Sequence, residues 1–310
     1  MMIFILITGG AGNVGGSLAE RLVKNPDYFV VILDNLTTGS IHKLPPANYS
    51  NWKFINGDVN CYDDISAVMT SFHFDYVFHY AALVGVKRTL DNPILVLNDI
   101  TGIKNVLSLS KNTGVKRVFY SSSSEVYGEP VSLPQFEDIT PLNSKLPYAI
   151  VKNVGEAYFR TFSLQYNLDY TIFRFFNTYG PKQSEDFVIT RFIKQALNNL
   201  DITIYGDGSQ TRTFCYVDDN NDATIIALEK NKGINDTINI GNDIEYTILE
   251  LAKLCIIKTN SKSKIVHLPP LKEGDMTRRQ PEISKMKSIL LDRPLISLSE
   301  GIDRILKELN

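Results

Sequence analysis

The chain has 310 residues, of which 44% are apolar and 21% are charged, a composition typical of a folded protein of one or two domains. Its formal net charge is −2 and no basic stripe occurs, so we expect no nucleic-acid partner. The three distant cysteines and four scattered histidines show no metal-ligand spacing, and no apolar run is long enough for a membrane span. We therefore predict no metal, no membrane segment and a reducing, cytoplasmic location.

Apolar strand-like runs alternate with helix-like segments through the first half of the chain. In order, the pattern predicts the strand IFILIT, a helix over 14–24, the strand FVVILD, a helix over 63–71, the strand YVFHYA, a helix over 98–112 and the strand RVFYSS. Alternation with fully apolar strands is typical of an α/β fold with a doubly wound parallel sheet. Ligands of such sheets bind beyond the carboxyl ends of the strands.

The character of the chain changes after the glycine and proline at 180–181. Prolines punctuate a more irregular final third, which predicts a smaller, mixed substrate lobe over 176–310. The run DYTIFRF still resembles a strand of the main sheet, so the first domain is predicted over 1–175. Part of 210–245 is expected to return to that domain, because TINIG also has the pattern of a strand.

A glycine-rich turn joins the first strand to the first helix. Gly9, Gly12 and Gly15 stand three apart in TGGAGNVGG, and a helical pattern begins at once. Glycine permits a tight turn and lets backbone N–H groups approach a pyrophosphate at the helix N-terminus. Asp34 closes the second strand, where a carboxylate accepts hydrogen bonds from ribose hydroxyls and repels a 2′-phosphate. The pattern therefore predicts a dinucleotide site that favours NAD.

Tyr148 and Lys152 stand four residues apart in YAIVK, so they share one face of a helix. A free phenol has a pKa of about 10, and a nearby ammonium favours the phenolate. Such a phenolate can take a proton from a sugar hydroxyl while carbon gives hydride to nicotinamide. The alternative interpretation is a surface pair on an amphipathic helix.

Six motifs occur along the chain in this order: TGGAGNVG, HYAAL, SSSSEVYG, YAIVK, RFFNTYGP and GDGSQTRTFCYVDD. In this order the chain resembles the extended short-chain dehydrogenase/reductases that act on nucleotide sugars, the epimerase/dehydratase family. The resemblance runs nearly from end to end. It implies a Rossmann domain that holds NAD, a C-terminal lobe that binds a nucleoside-diphosphate sugar, and a homodimer formed through two helices of each subunit.

The resemblance also implies roles for individual residues. Ser123 takes the place of the catalytic hydroxyl, Tyr148 is the base, and Lys152 tunes that base and holds the nicotinamide ribose. The residues assigned to the cofactor are Gly9, Gly12, Asn13, Val14, Gly15, Asp34, Asn35, Asp58, Val59, Ala81, Ala82, Asn98, Tyr148, Lys152 and Phe175. Those assigned to the substrate are Ser123, Asn177, Arg212, Lys272 and Asp275.

The late part of the substrate site departs from the family pattern. An arginine often stands three residues before the aspartate of a Gly-Asp motif, whereas this chain has Lys272 before Asp275. In the family this arginine contacts the phosphates of the substrate. Lysine offers charge without the guanidinium fork, so Arg278 or Arg279 is a candidate to make that contact instead.

Glu125 bears on which reaction follows oxidation of the sugar at C4. Hexose dehydratases of the family carry an Asp-Glu pair after the catalytic hydroxyl, whereas this chain has Ser124 and Glu125. We predict a nucleotide-sugar 4-epimerase. The alternatives are a 4,6-dehydratase or UDP-glucuronate-type decarboxylase in which Glu125 is catalytic, a 4-dehydrogenase that releases the 4-keto sugar, or a non-catalytic NAD-binding sensor or scaffold.

Overall fold

The computed structural model describes residues 2–270 and 278–309. In chain order its strands are β1 (Ile3–Thr8), β2 (Tyr28–Asp34), β3 (Trp52–Asn56), β4 (Tyr76–His79), β5 (Arg117–Ser123), β6 (Asp169–Phe175), β7 (Thr178–Tyr179), β8 (Ile202–Tyr205), β9 (Thr211–Thr213), β10 (Cys215–Tyr216), β11 (Asp236–Ile240), β12 (Glu245–Thr247) and β13 (Ile265–Leu268). Its α-helices are α1 (Asn13–Leu22), α2 (Tyr62–Ser71), α3 (Val86–Asp91), α4 (Pro93–Thr113), α5 (Pro147–Tyr166), α6 (Val188–Leu197), α7 (Val217–Glu229), α8 (Ile248–Thr259), α9 (Ser284–Ile289) and α10 (Leu298–Leu309).

A seven-stranded parallel sheet forms the centre of the molecule, with the order β11-β6-β5-β4-β1-β2-β3. Successive side chains of β1 point to opposite faces, so Ile5 and Ile7 pack on one side of the sheet and Leu6 on the other. Helices α1, α7 and α9 cover the first face, and α2, α4 and α5 cover the second. Burial on both faces explains why these strands are almost continuously apolar, and it confirms the predicted doubly wound α/β fold.

The smaller lobe has its own apolar core. Helices α6, α8 and α10 bury one stripe each around the short strand pairs β8–β13 and β9–β12. Phe192, Leu251 and Ile302 are among the fully buried side chains of this core.

Chain segments beyond residue 210 return to the main sheet. β11 pairs with β6, and α7 packs against α1. Helix α9 also packs on this sheet layer, although the sequence analysis placed its residues in the substrate lobe. The division at residue 175 stays a prediction.

The predicted helices match the observed ones, with differences at their ends. The helix expected over 98–112 begins earlier, at Pro93, because proline suits the first helical turn, where its missing N–H is not needed. It ends at Gly114, whose φ of 78° is the left-handed conformation common after a helix. None of the helices in the described part of the chain is long and apolar enough to span a bilayer.

Candidate active site

A cleft with a cavity volume of about 530 Å³ runs along the carboxyl edge of the main sheet. This position follows from the topology, because the loops after parallel strands meet at that edge. The cleft has two parts. The dinucleotide end is lined by the glycine turn and the ends of β2 and β3, and the reactive end is lined by Ser123, Glu125, Tyr148 and Arg279.

Gly9 brings the glycine turn against the loop after β4. Its φ is +73°, and a Cβ at this position would lie 2.6 Å from the backbone nitrogen of Ala81. A Cβ on Gly15 would lie 2.5 Å from the carbonyl oxygen of Gly9. The first turn of α1 itself carries no acidic residue, and the positive N-terminal end of the helix favours an anion. The turn therefore offers a pyrophosphate both space and favourable charge.

The carboxylate of Asp34 is fixed beside this turn. Its Oδ2 accepts a hydrogen bond of 2.9 Å from the backbone N–H of Ala11, and its Oδ1 accepts one of 2.8 Å from that of Leu36. Asn35 donates to Oδ2 of Asp58 at 3.2 Å, which joins the ends of β2 and β3. These groups line the cleft, and their assignment to the adenosine half of a dinucleotide stays a prediction.

Ser123 and Tyr148 meet at the reactive end. Ser123 is the last residue of β5, and Tyr148 lies in the first turn of α5. Burial raises the pKa of Tyr148 well above its ordinary value, and the charges of Glu125 and Asp99 raise it further. A hydrogen bond with Ser123 and the charge of Arg279 act in the opposite direction. The net direction is opposite to the one predicted from Lys152 alone, because the effect of burial outweighs the hydrogen bond with Ser123 and the charge of Arg279.

Lys152 lies behind Tyr148 and is almost completely buried. Its Nζ donates to the carbonyl oxygen of Ser121 at 2.6 Å and lies 5.7 Å from the centroid of the Tyr148 ring. Burial lowers the pKa of Lys152 to about 8, while the charges of Asp99 and Glu156 act to raise it. The ammonium is thus held near, but not on, the phenol.

An ion pair between Glu125 and Arg279 completes the reactive end. Arg279 Nη1 donates to Glu125 Oε1 at 3.0 Å and to Ser124 Oγ at 3.1 Å. The two side chains are only 16% and 6% exposed, so the pair is largely shielded from solvent. Arg278 points elsewhere and pairs with Glu245 at 2.6 Å on the surface. The Glu125 carboxylate therefore faces a cation from the C-terminal part of the chain.

The assigned residues divide into those that line the cleft and those that do not. All the assigned cofactor residues line it except Lys152, which lies just behind Tyr148. Asn177 lines the cleft with a φ of 37° and donates to the carbonyl oxygen of Thr213 at 2.9 Å. Arg212 lies on β9, donates to the carbonyl oxygen of Thr211, and is not among the described residues that line the cleft. Lys272 and Asp275 lie outside the described residues.

Two charged groups near the reactive centre were not predicted from the sequence. Asp99 in α4 is partly buried in the wall of the cleft, and its Oδ2 accepts from the backbone N–H of Leu83 at 2.8 Å. Arg279 was considered only for a phosphate contact, whereas it bonds Glu125 and Ser124. The adjacent arginines at 278–279 were the available signal, but only tertiary structure separates their roles.

Within 2–270 and 278–309, no group of three or more His, Cys, Asp or Glu side chains is arranged to hold a metal.

Comparisons with known proteins agree with this geometry. A family model described as "NAD dependent epimerase/dehydratase family" matches residues 5–241. A putative UDP-glucose 4-epimerase of Methanocaldococcus jannaschii is 35% identical over 97% of this chain and 96% of its own length. A UDP-N-acetyl-alpha-D-glucosaminuronate decarboxylase of Bacillus cytotoxicus is 38% identical over 96% of this chain and 94% of its own.

The fold is similar to that of a solved relative. The UDP-glucose 4-epimerase of Thermotoga maritima, solved with UDP-glucose, gives a TM-score of 0.92 at 32% identity and covers 99% of this chain and 98% of its own. Both lobes are therefore shared with that protein. The glycine turn, the Asp34 carboxylate and the family match agree on NAD as the cofactor. The chain belongs to the NAD dependent epimerase/dehydratase family, whose members are enzymes that act on nucleotide sugars.

Proposed function

We propose that the protein oxidises a nucleoside-diphosphate uronate at C4 with NAD and then removes its C6 carboxylate as carbon dioxide. The observation that supports this proposal is the buried Arg279 guanidinium, which faces the same end of the cleft as Ser123 and Tyr148. A buried cation is costly unless an anion accompanies it. Here Glu125 supplies one anion, and a substrate carboxylate is a second group that this cation would attract.

The first step belongs to Ser123 and Tyr148. The Ser123 hydroxyl orients the C4 hydroxyl of the sugar, and the Tyr148 phenolate takes its proton. NAD, held by the glycine turn and Asp34, would supply a hydride acceptor for C4 and a positive ring charge that favours the phenolate. Lys152 keeps a positive charge behind the phenol, held in place by its bond to the Ser121 carbonyl.

The second step requires few groups from the protein. A ketone at C4 makes the C6 carboxylate a β-keto acid, so the C5–C6 bond breaks, carbon dioxide leaves, and the electron pair forms the C4 enolate. A proton is then delivered to C5, and we assign this step to the group formed by Ser124, Glu125 and Arg279, which line the reactive end of the cleft. Dehydration would instead require a base at C5 and an acid at the C6 oxygen. With Ser124 in place of the usual aspartate, that pair is incomplete, which favours decarboxylation.

One of the relatives supports decarboxylation. The Bacillus cytotoxicus relative is described as a decarboxylase of UDP-N-acetyl-alpha-D-glucosaminuronate, and it aligns with nearly the whole chain. A UDP-linked uronate is therefore the proposed substrate class.

A 4-epimerase, the reaction predicted from the sequence, is the second candidate. It is favoured by the TM-score of 0.92 with the Thermotoga maritima epimerase and by the Methanocaldococcus jannaschii relative. Epimerisation uses the same first step, after which the 4-keto sugar turns over and receives hydride on its other face. Epimerisation gives no role to the Arg279 cation beside Glu125.

The product mass separates these reactions. The purified enzyme is incubated with UDP-glucuronate, UDP-N-acetylglucosaminuronate, UDP-glucose and UDP-N-acetylglucosamine, and the products are analysed by mass spectrometry and NMR. We expect loss of carbon dioxide from a uronate. Unchanged mass with inverted C4 supports the epimerase, and loss of water supports the dehydratase.

Two adjacent arginines provide a matched pair of variants. Arg279→Met should lower carbon dioxide release by about 100-fold or more, while C4 oxidation stays visible as NADH absorbance. Arg278→Met removes the same charge outside the cleft and should change turnover by less than about threefold. Equal effects of the two substitutions would contradict a role for Arg279 in the second step.

We also propose that the protein is a homodimer in which α4 and α5 of each subunit meet. Large apolar side chains are exposed on both helices, including Ile94 at 70% and Leu164 at 87%. Light scattering should give twice the chain mass of 34.9 kDa. Ile94→Glu should shift the population towards a monomer, and a monomeric wild type would contradict this proposal.

A further inference from the structure

Glu156 lies on the same face of α5 as Tyr148 and Lys152, two helical turns beyond Tyr148 and one beyond Lys152. Its side chain is fully buried but does not line the cleft. Glu156 Oε1 accepts from Ser122 Oγ at 2.7 Å, so it holds the residue that precedes Ser123. Glu156 therefore links α5, the helix that carries Tyr148, to the end of β5 that carries Ser123.

Arg174 of β6 binds this carboxylate with two nitrogens. Its Nε donates to Glu156 Oε1 at 2.8 Å and its Nη2 to Oε2 at 2.7 Å. Both side chains are almost inaccessible to solvent. A two-bond fork of this kind fixes orientation as well as distance.

The same guanidinium reaches towards the segment that carries Arg279. Arg174 Nη1 donates to the Tyr127 hydroxyl at 2.8 Å, and that hydroxyl donates to Asn239 Oδ1 at 2.7 Å. Asn239 Nδ2 in turn donates to the carbonyl oxygens of Gln135 and Glu282 at 2.9 and 3.1 Å. An unbroken chain of hydrogen bonds thus connects α5 with residues just beyond Arg279.

We propose that Glu156 and Arg174 are positioning residues for the reaction, holding Ser123, Lys152 and Arg279 in one arrangement from behind the cleft. Glu156 on α5 and Arg174 on β6 bond directly to Ser122 on β5 and to the Tyr127 hydroxyl. Tyr127 leads through Asn239 to the carbonyl oxygen of Glu282, just beyond Arg279. The part of this inference that concerns Arg279 rests on the proposed function, whereas the part that concerns Lys152 does not.

Glu156 also acts on Lys152 through charge. The charged or titratable groups that face Lys152 are Asp99 on α4, Glu156 and Tyr148 on α5, Tyr120 on β5 and His79 on β4. His79 is neutral, because burial lowers its pKa to about 3. Asp99 and Glu156 are the two anions that help Lys152 to keep its proton, so loss of Glu156 should lower the pKa of Lys152.

The first experiment measures that pKa without any substrate. The holoenzyme is labelled at the lysine Cε positions, and NMR follows the Lys152 signal, which is assigned by its absence from Lys152→Met. We expect Glu156→Gln to move the Lys152 titration to lower pH, while Glu156→Asp, which keeps the charge, restores most of the wild-type value. An unchanged titration in Glu156→Gln would overturn the proposal.

The second experiment separates positioning from stability. Glu156→Gln should lower kcat by roughly 10- to 100-fold, with KM and the Kd for NADH within about threefold of wild type. The double variant Glu156→Gln/Arg174→Met removes both buried charges, so it should recover much of the lost stability but not the lost kcat. Recovery of kcat together with stability would show a purely structural pair and overturn the proposal.

Arg117→Met is the matched control for lost stability. Arg117 is buried at the other end of β5, where it donates to the carbonyl oxygens of Ala227 and Lys232. This variant should unfold at lower denaturant concentration with kcat and the Lys152 titration unchanged. If the wild type converts no nucleotide sugar, the proposed function fails, and the Lys152 titration still decides the positioning role.

Discussion

Arg279 donates a 3.0 Å hydrogen bond to Glu125 although 154 residues separate them in the chain. Because both side chains lie at the reactive end, the pair brings charge from the C-terminal part of the chain to the end of β5. Removing one partner of a buried pair leaves the other charge unpaired. The reaction that follows C4 oxidation should therefore depend on both partners.

Tyr148→Phe should abolish the proton transfer but leave the fold intact. We expect kcat to fall by roughly 10²- to 10⁴-fold, the usual contribution of a general base, with NADH binding within about tenfold of wild type. Tyr158→Phe on the same helix is the control, since Tyr158 packs against the sheet core and is not among the described cleft-lining residues. Steady-state kinetics of C4 oxidation measure both. A Tyr148→Phe enzyme with near wild-type kcat would exclude Tyr148 as the base.

Lys152→Met should stabilise the protein while it destroys activity. Burial lowers the pKa of Lys152 from 10.5 to about 8, so folding at pH 7 forces a proton into an unfavourable site. Each pKa unit corresponds to about 1.4 kcal/mol, and loss of the bond to Ser121 offsets part of the gain. We expect the free energy of unfolding at pH 7 to rise by roughly 1–2 kcal/mol.

The stability gained by Lys152→Met should depend on pH in a definite direction. Between pH 8 and 10.5 the folded protein has released the Lys152 proton while the unfolded chain retains it, so this residue makes wild-type stability rise with pH in that window. The advantage of Lys152→Met should therefore shrink as the pH rises from 8. Urea unfolding of the NAD-free protein measures it, with the exposed Lys116→Met as control. A lower stability of Lys152→Met at pH 7 would contradict the account.

Gly9→Ala should weaken both NAD binding and the fold. The added Cβ meets the Ala81 backbone at 2.6 Å, and neither backbone can move away as a flexible side chain would. We expect a loss of roughly 2–4 kcal/mol in stability and at least tenfold in NADH affinity, measured by fluorescence titration. Gly114→Ala has a comparable φ of +78° with nothing near its Cβ, so it should cost about 1 kcal/mol and leave the affinity unchanged. Equal affinity losses in the two variants would disprove the close-approach argument.

The parts of this protein that follow from local sequence were predictable. The strands of the main sheet are apolar because both faces are buried, and the glycine turn and Asp34 are placed by the strand–helix junction that they define. Tyr148 and Lys152 share a face because α5 is regular, which their spacing already requires.

Long-range contacts explain what the sequence did not predict. Nothing near Arg279 in the sequence indicates that it contacts Glu125 while Arg278 contacts Glu245, because only the tertiary fold brings those partners together. The pKa of Tyr148 was predicted in the wrong direction from Lys152, since burial and the charges of Glu125 and Asp99 depend on the tertiary fold. The predicted role of Arg212 stays a prediction.

The most direct test follows two hydrogens through the reaction in deuterated water. A UDP-linked uronate with deuterium at C4 is converted, and NMR locates the label in the product. The account predicts that the C4 label is retained, because the hydrogen taken from C4 returns to it, and that one solvent deuterium appears at the former C5 as carbon dioxide leaves. Loss of the C4 label to solvent, or a product that keeps its carboxylate and gains no solvent deuterium, would contradict it.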